Sequence, residues 1–197
     1  KPMTLEDYLG CRMISEPYCL FDCSLECDGA GAMVVTTAER AKDLKQKPIY
    51  LMGFGQGQPY PADDLSNRAD ILEMGVTKAA PRAFRMAGIT HKDIDFAQLY
   101  DAFGFQVIEQ LEEMGFCKRG EGGPFVEGGR IEIGGELPVN THGGLMSEGH
   151  VMGINHLIEA VRQLRGTAGD HQVKDAKIGL STGYGDFQDG SVVILRN

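Results

Sequence analysis

Apolar runs short enough for strands alternate along this chain with stretches in which apolar residues recur every three or four positions. Residues 32–37 (AMVVTT) make a compact run entered through Asp28-Gly29-Ala30-Gly31, and a charged helical turn over 38–44 follows. Residues 49–54 read as the next strand, and the Gly/Pro/Asp-rich stretch 55–64 as a linker. Between 69 and 86, Ile71, Leu72, Val76, Ala79, Ala83, Phe84 and Met86 fall at helical spacing, with Gly88 as the stop. A strand at 96–100 precedes a helix over 105–114, where Val107, Ile108 and Leu111 share a face. In the glycine-dense excursion 115–135 only PFV and RIEI look extended. A helix over 151–164, closed by Gly166, leads to strands at 178–182 and 191–195 around the turn Gly183-Tyr184-Gly185-Asp186. Alternation of this kind predicts an α/β layered fold.

Composition narrows the functional classes. With 197 residues, 42% of them apolar, the chain has the material for a buried core. No apolar run approaches the roughly 20 residues that cross a bilayer, and the opening KPMTLEDYLG has neither a basic cap nor a signal core. A soluble, cytoplasmic protein without membrane attachment is expected. It opens at Lys1 rather than Met, as a processed or partial product does. Nineteen Lys and Arg against 28 Asp and Glu give a net charge of −9 with no basic tract, which argues against nucleic acid as a partner. Arg68, Lys78 and Arg82 read as solvated helix positions rather than phosphate ligands. The five cysteines, Cys11, Cys19, Cys23, Cys27 and Cys117, are odd in number and predict free thiols. Cys19, Cys23 and Cys27 recur every four residues, but without a CxxC pair or a second Cys/His half they predict small buried thiols and no metal.

Three segments carry residues suited to chemistry. The first joins Asn140-Thr141-His142-Gly143-Gly144 to Gly149-His150 at a predicted helix start. There glycines permit close backbone approach, and helix N–H groups attract an acyl or phosphate oxygen. In a first helical turn the dipole disfavours a protonated His150, which suits a neutral base; a packed or capping histidine explains it equally well. The second is Tyr100-Asp101-Ala102-Phe103 at the carboxyl end of a strand, where α/β sheets gather ligand contacts. An ordinary Asp N-cap with a core aromatic is the competing explanation. The third is Tyr184 between two glycines, a phenol able to serve an oxyanion or simply to occupy a hairpin turn.

In this order the segments resemble the thiolase superfamily, specifically its lipid-transfer-protein-like branch related to the thiolase part of sterol carrier protein. DCSLECDGAGAMVVTTAERAKDL resembles the segment that closes a thiolase N-terminal half, and KPIYLMGFG the first strand of the C-terminal half. QLYDAFGFQVIEQLEEMGF resembles the second catalytic loop. VNTHGGLMSEGHVMGINHLIEAVRQLRG is similar to the glycine loop, histidine and helix, and KIGLSTGYGDFQDGSVVILRN to the final strand, loop and strand. The resemblance implies a thiolase-like fold with a mixed central sheet, in which 1–47 form the tail of the N-terminal half and 48–197 the C-terminal domain, usually within a homodimer. It also implies carbon–carbon bond formation or cleavage on a coenzyme A thioester as substrate, with no bound cofactor. His150 takes the place of the family histidine, and Tyr100 that of an Asn or His in an oxyanion role. His142, Gly143, Gly144, Asp101 and Asn140 become candidate substrate contacts.

The departures matter as well. Val151 replaces the usual proline after the histidine, Tyr184 stands where many members have a catalytic cysteine, and none of the five cysteines lies in the nucleophile motif. A thiolase-type acyltransferase needs His150 beside an acylated cysteine, with Tyr184 handling the α-proton. A retro-aldol lyase for a β-hydroxyacyl-CoA of the steroid side-chain type needs no acyl-enzyme. Tyr100 and Tyr184 then suit the base and acid roles, and the resemblance adds a partner with an OB-fold and zinc ribbon. The thiolase-type enzyme is preferred here, with the lyase second and a non-catalytic partner half as a third reading.

Overall fold

The computed structural model describes residues 3–197, apart from the side chain of Asp186; Lys1 and Pro2 lie outside the described residues. Thr4 and Asp7 exchange side-chain and backbone hydrogen bonds and so start helix α1 (Leu5–Leu9) with a capping box. Strands β1 (Met13–Ser15) and β2 (Tyr18–Cys19) then pair as a small hairpin. The hairpin corrects the thiol expectation: Cys19 pairs with Met13 across it, and Cys11 just ahead of β1 forms a disulfide with Cys19, with Cα atoms 6.1 Å apart, while Cys23, Cys27 and Cys117 remain free. An odd count of cysteines leaves one unpaired at least, and does not forbid a local pair.

Residues 32–37 are no strand. A strand needs a neighbour for its N–H and C=O groups; among the described residues none pairs with this run, and Val34 and Val35 are each 88% exposed. Helix α2 (Ala38–Ala41), capped by Thr37, is the predicted turn.

Strand β3 (Tyr50–Gly57) runs three residues further than 49–54 suggested, into the supposed linker. Its extension has a packing cause. A Cβ on Gly53, Gly55 or Gly57 would lie 2.3, 2.2 and 2.2 Å from the carbonyl oxygens of Ala83, Ala79 and Gly75 in helix α3 (Gly75–Ala87). Two strand residues advance about 6.8 Å and four helix residues about 6.0 Å, so a glycine at every second position meets a helix backbone at every fourth. Helix α3 begins later than expected because Asp70 accepts the Leu72 N–H at 3.0 Å and turns the chain. Ile71 and Leu72 are consequently exposed, and Met86, inside α3, lies on its outer face.

Strand β4 (Phe96–Gln98) and helix α4 (Gly104–Glu113) follow their pattern closely. The excursion does not. PFV lies in helix α5 (Gly122–Val126), and RIEI is folded into turns by Gly128, Gly129 and Gly134, all at left-handed φ. Helix α6 (Gly144–Ser147), helix α7 (Ile154–Arg165), strand β5 (Ile178–Tyr184) and strand β6 (Gly190–Arg196) complete the chain.

The main sheet has the order β3-β6-β5-β4, with β4 parallel to β5 and the other neighbours antiparallel. Ala79, Ala83 and Leu111 from α3 and α4 pack with Leu180, Val192 and Ile194 on one face. Ala160 and Leu164 from α7 pack with Phe96 and Leu195 on the other. Since β4 and β5 are parallel, their carboxyl ends lie side by side, and Tyr100 and Tyr184 stand there together. Among the described residues no helix is long and apolar enough to cross a membrane.

The close approach of β3 and α3 predicts a large asymmetry between glycines. Gly55→Ala forces a methyl into the Ala79 carbonyl and should cost about 1–3 kcal/mol, whereas Gly123→Ala, with open space around it, should be nearly neutral. Urea unfolding midpoints check this, and equal midpoints for the two variants contradict the packing argument.

Candidate active site

The carboxyl end of β4 is fixed by a closed set of buried hydrogen bonds. The Tyr100 N–H donates to Thr182 Oγ1 (2.9 Å), Thr182 donates to Gln110 Oε1 (2.6 Å), and Gln110 Nε2 donates back to the Tyr100 carbonyl (2.7 Å). Strands β4 and β5 and helix α4 therefore agree on one backbone position for Tyr100. Gly153, at φ 78°, lets the chain pass over the phenol ring, where a Cβ would come within 3.2 Å of it.

Tyr100 Oη lies 2.7 Å from His150 Nε2, and His150 Nδ1 lies 3.0 Å from Ser24 Oγ. A neutral imidazole carries one N–H, so donation from Nδ1 to Ser24 leaves Nε2 to accept the Tyr100 proton. The Tyr184 ring stacks on Tyr100 with centroids 5.5 Å apart. Burial raises the Tyr184 pKa above that of an ordinary phenol, a shift reinforced by the charge of Glu109 and opposed by a Gln106 hydrogen bond and the charge of Arg68. Tyr184 thus stays a neutral donor around pH 7. The imidazole and two phenols, 84 residues apart at the extremes, share one place.

His150 lies between α6 and α7, four residues ahead of α7, and not in its first turn. The chain is unwound there because Gly149 (φ 147°), Met152 (φ 52°) and Gly153 depart from helical φ. The helix-dipole argument for His150 therefore loses its geometry.

The remaining candidates divide by what their polar atoms bind. Asn140 uses both amide atoms on the backbone of Leu99, accepting its N–H at 2.7 Å and donating to its carbonyl at 2.8 Å. Asp101 does not cap α4; its Oδ1 accepts the Leu145 N–H of α6 (2.8 Å) and meets His156 Nε2 at 3.0 Å. A Cβ on Gly144 would strike Asp101 Oδ2 at 2.0 Å, so Gly144 permits that contact, and Gly143 supplies the left-handed turn before α6. His142 is buried edge-on to His156, with ring centroids 5.0 Å apart; burial, then the neighbouring His156, lowers its pKa. Lys78 and Arg82 are exposed helix residues as expected, but Arg68 is buried, outside any α-helix, beside the loop after β5.

Sequence reasoning passed over Ser24, His156, Thr182 and Gln110. A signal existed for His156 and Gln110, which are polar residues on the inward faces of amphipathic helices. Ser24 had none: it reaches the site because its N–H donates to the Ala102 carbonyl at 2.8 Å, a contact between distant segments. A cavity of about 250 Å³ lies between Gly29-Ala30-Gly31 and α7, beside Glu148 and Val151, but the three rings do not line it. Among the described residues no group of three or more His, Cys, Asp or Glu is arranged to hold a metal.

Residues 57–197 match the family model described as thiolase C-terminal domain-like. The chain belongs to the thiolase family. It is 43% identical over 176 residues to the 17-hydroxy-3-oxo-4-pregnene-20-carboxyl-CoA lyase of Mycobacterium tuberculosis, covering 85% of this chain and 44% of the lyase. To the acetyl-CoA acetyltransferase of Methanothermobacter thermautotrophicus it is 38% identical over 187 residues, 93% of this chain and 48% of that enzyme. The solved Ltp2-ChsH2(DUF35) aldolase superposes with a TM-score of 0.93 at 40% identity, over 100% of this chain and 52% of that one. This thiolase-family chain therefore spans about half the length of these relatives.

The acidic side chains of α4 give a pH prediction. Burial first, then Glu113 and Glu112, push the Glu109 carboxyl up to about 7. Because its folded pKa is raised above the ordinary value of 4.5, the folded state holds the proton more tightly, and stability is lost as pH rises from that value through about 7. Glu109→Gln removes this ionisation, so its melting temperature relative to the parent should rise between about pH 5 and about pH 8. A difference that is the same at both pH values contradicts the assignment.

Proposed function

We propose that the protein containing this chain cleaves a carbon–carbon bond next to a coenzyme A thioester carbonyl by a retro-aldol route. The observation that carries this reading is that both nitrogens of His150 are engaged by hydroxyls, Tyr100 at 2.7 Å and Ser24 at 3.0 Å. Cys27 approaches only the backbone carbonyl of His150, at 3.5 Å. An imidazole paired with a phenol serves proton transfer, and no acyl-enzyme is required.

The Tyr100–His150 pair takes the proton from the β-hydroxyl. As the β-carbon becomes a carbonyl, the Cα–Cβ bond breaks and its electron pair passes to the thioester as an enolate. Tyr184, kept neutral by its surroundings, donates to the enolate and then gives its proton to Cα. The proton held by Tyr100 and His150 then restores Tyr184, so protons balance over the cycle. We keep His142 and Gly143 as candidates to border the acyl group, while Asp101, Asn140 and Gly144 hold the frame.

The names of the relatives support the substrate class. The lyase from Mycobacterium tuberculosis suggests 17-hydroxy-3-oxo-4-pregnene-20-carboxyl-CoA as a probe, in which the hydroxyl is β to the thioester. Thiolysis is the second reading, favoured by the retained histidine and by similarity to an acetyl-CoA acetyltransferase. We assign residues 1–47 to the tail of a first thiolase-like half and 48–197 to the second. The exposed Val34 and Val35 suit a covered position in a larger assembly, which we take to be a homodimer with an OB-fold and zinc-ribbon partner in the cytoplasm.

Product analysis with the steroid thioester, with and without free coenzyme A, separates the readings. A 17-ketosteroid and propionyl-CoA formed without free coenzyme A are expected; cleavage that requires it supports thiolysis instead. In the complete enzyme, His150→Ala and Tyr184→Phe should each lower turnover by roughly 10² to 10⁴-fold. Near-parental turnover in either variant removes that residue from the mechanism.

A further inference from the structure

Tyr184 closes β5 opposite Gly190 of β6, and the five residues between them form the hairpin loop 185–189. Two consecutive non-glycine residues of that loop, Phe187 (φ 56°) and Gln188 (φ 68°), occupy the left-handed region that L side chains disfavour. Such a conformation persists when surrounding contacts over-determine it. Across the loop, Gly185 N–H donates to the Asp189 carbonyl at 3.0 Å and Gln58 donates to the Asp189 carboxylate at 3.4 Å; the strained pair itself is met by Arg68. Arg68 is only 8% exposed, and its Nη2 donates to the Phe187 carbonyl at 2.6 Å while Nη1 donates to Gln188 Oε1 at 2.6 Å. The third donor, Nε, binds the Pro61 carbonyl at 3.1 Å and ties the arrangement to the segment between β3 and α3.

Three features distinguish this from an ordinary structural arginine. All three acceptors are neutral, two of them belong to the strained pair, and the charge lies near enough to Tyr184 to oppose the effect of burial on its phenol. A planar fork meets two acceptors at once, which a lysine ammonium does not reproduce.

We propose that Arg68 is a positioning residue for Tyr184: its guanidinium locks the 185–189 loop and sets the Tyr184 hydroxyl over the reacting carbon. The inference rests on the retro-aldol reading above. When Tyr184 gives its proton to Cα, the nearby positive charge also favours the phenolate left behind until the proton returns from Tyr100 and His150.

The test is a double-mutant cycle in the complete enzyme with the same steroid thioester. Arg68→Met is expected to lower kcat by roughly 10²-fold with KM within about 2-fold, and Arg68→Lys, which keeps the charge but not the fork, by about 10-fold. Because Arg68 acts through Tyr184, adding Arg68→Met to Tyr184→Phe should lower kcat by no more than about 2-fold further. Circular dichroism establishes that each variant is folded; if Arg68→Met is not, Arg68→Lys in both backgrounds makes the same comparison. Losses that multiply in the double variant, or parental kcat in the Arg68 variants, overturn the proposal while Tyr184 keeps its role. Full activity of Tyr184→Phe removes that role and the proposal with it.

Discussion

The contact between Tyr100 and His150 depends on two segments that meet only through the fold. One is the end of β4, where Thr182 and Gln110 hold the Tyr100 backbone on both sides. The other is the unwound stretch between α6 and α7, where positive φ at Gly149, Met152 and Gly153 keeps His150 out of the helix and against the phenol hydroxyl. A side chain at Gly153 pushes against Tyr100. Rigid strand and pliant glycine segment are both needed, since a strand fixes a group well and a glycine-rich segment brings backbone close.

Behind the rings lies a second tier of buried polar groups. Asp101 accepts from Leu145 and meets His156, and the His156 ring stacks on Tyr100 at 6.3 Å. Buried polar groups stabilise only when partnered, and their directional bonds then restrict a core to one arrangement. Asn140 and Asp101 belong to this tier: they anchor the 140–145 loop to the end of β4, and through it the start of α6. Asp101 and Asn140 thus hold their neighbours in place, whereas His156 Nδ1 and both His142 ring nitrogens are buried without a hydrogen-bond partner among the described residues.

Much of this was legible from residue patterns because the decisive elements are amphipathic. Helix α4, strand β5 and strand β6 fall close to where periodicity puts them, since each has one face on the core. Failures cluster where a segment's fate is decided elsewhere. Residues 32–37 are apolar enough for a strand but have no neighbour among the described residues. PFV is helical because glycines fold the excursion back on itself. The start of α7 moved because Val151 and Met152, though apolar, sit in a turn ended by Gly153. Tyr100, His150 and Tyr184 were visible as candidates through motif order alone; Ser24 and Arg68 reach the site by tertiary contacts that leave no mark in local sequence. Arg68 looked like a solvated helix residue, and is instead buried with its donors on backbone and amide oxygens.

The central claim is that one thioester lies among these three rings. A crystal structure of the complete protein with a non-cleavable β-hydroxyacyl thioether analogue tests it directly. The β-hydroxyl should lie about 2.6–3.2 Å from Tyr100 Oη, with the Tyr184 hydroxyl facing the α-carbon. An acyl group bound with its β-carbon away from the three rings contradicts the account.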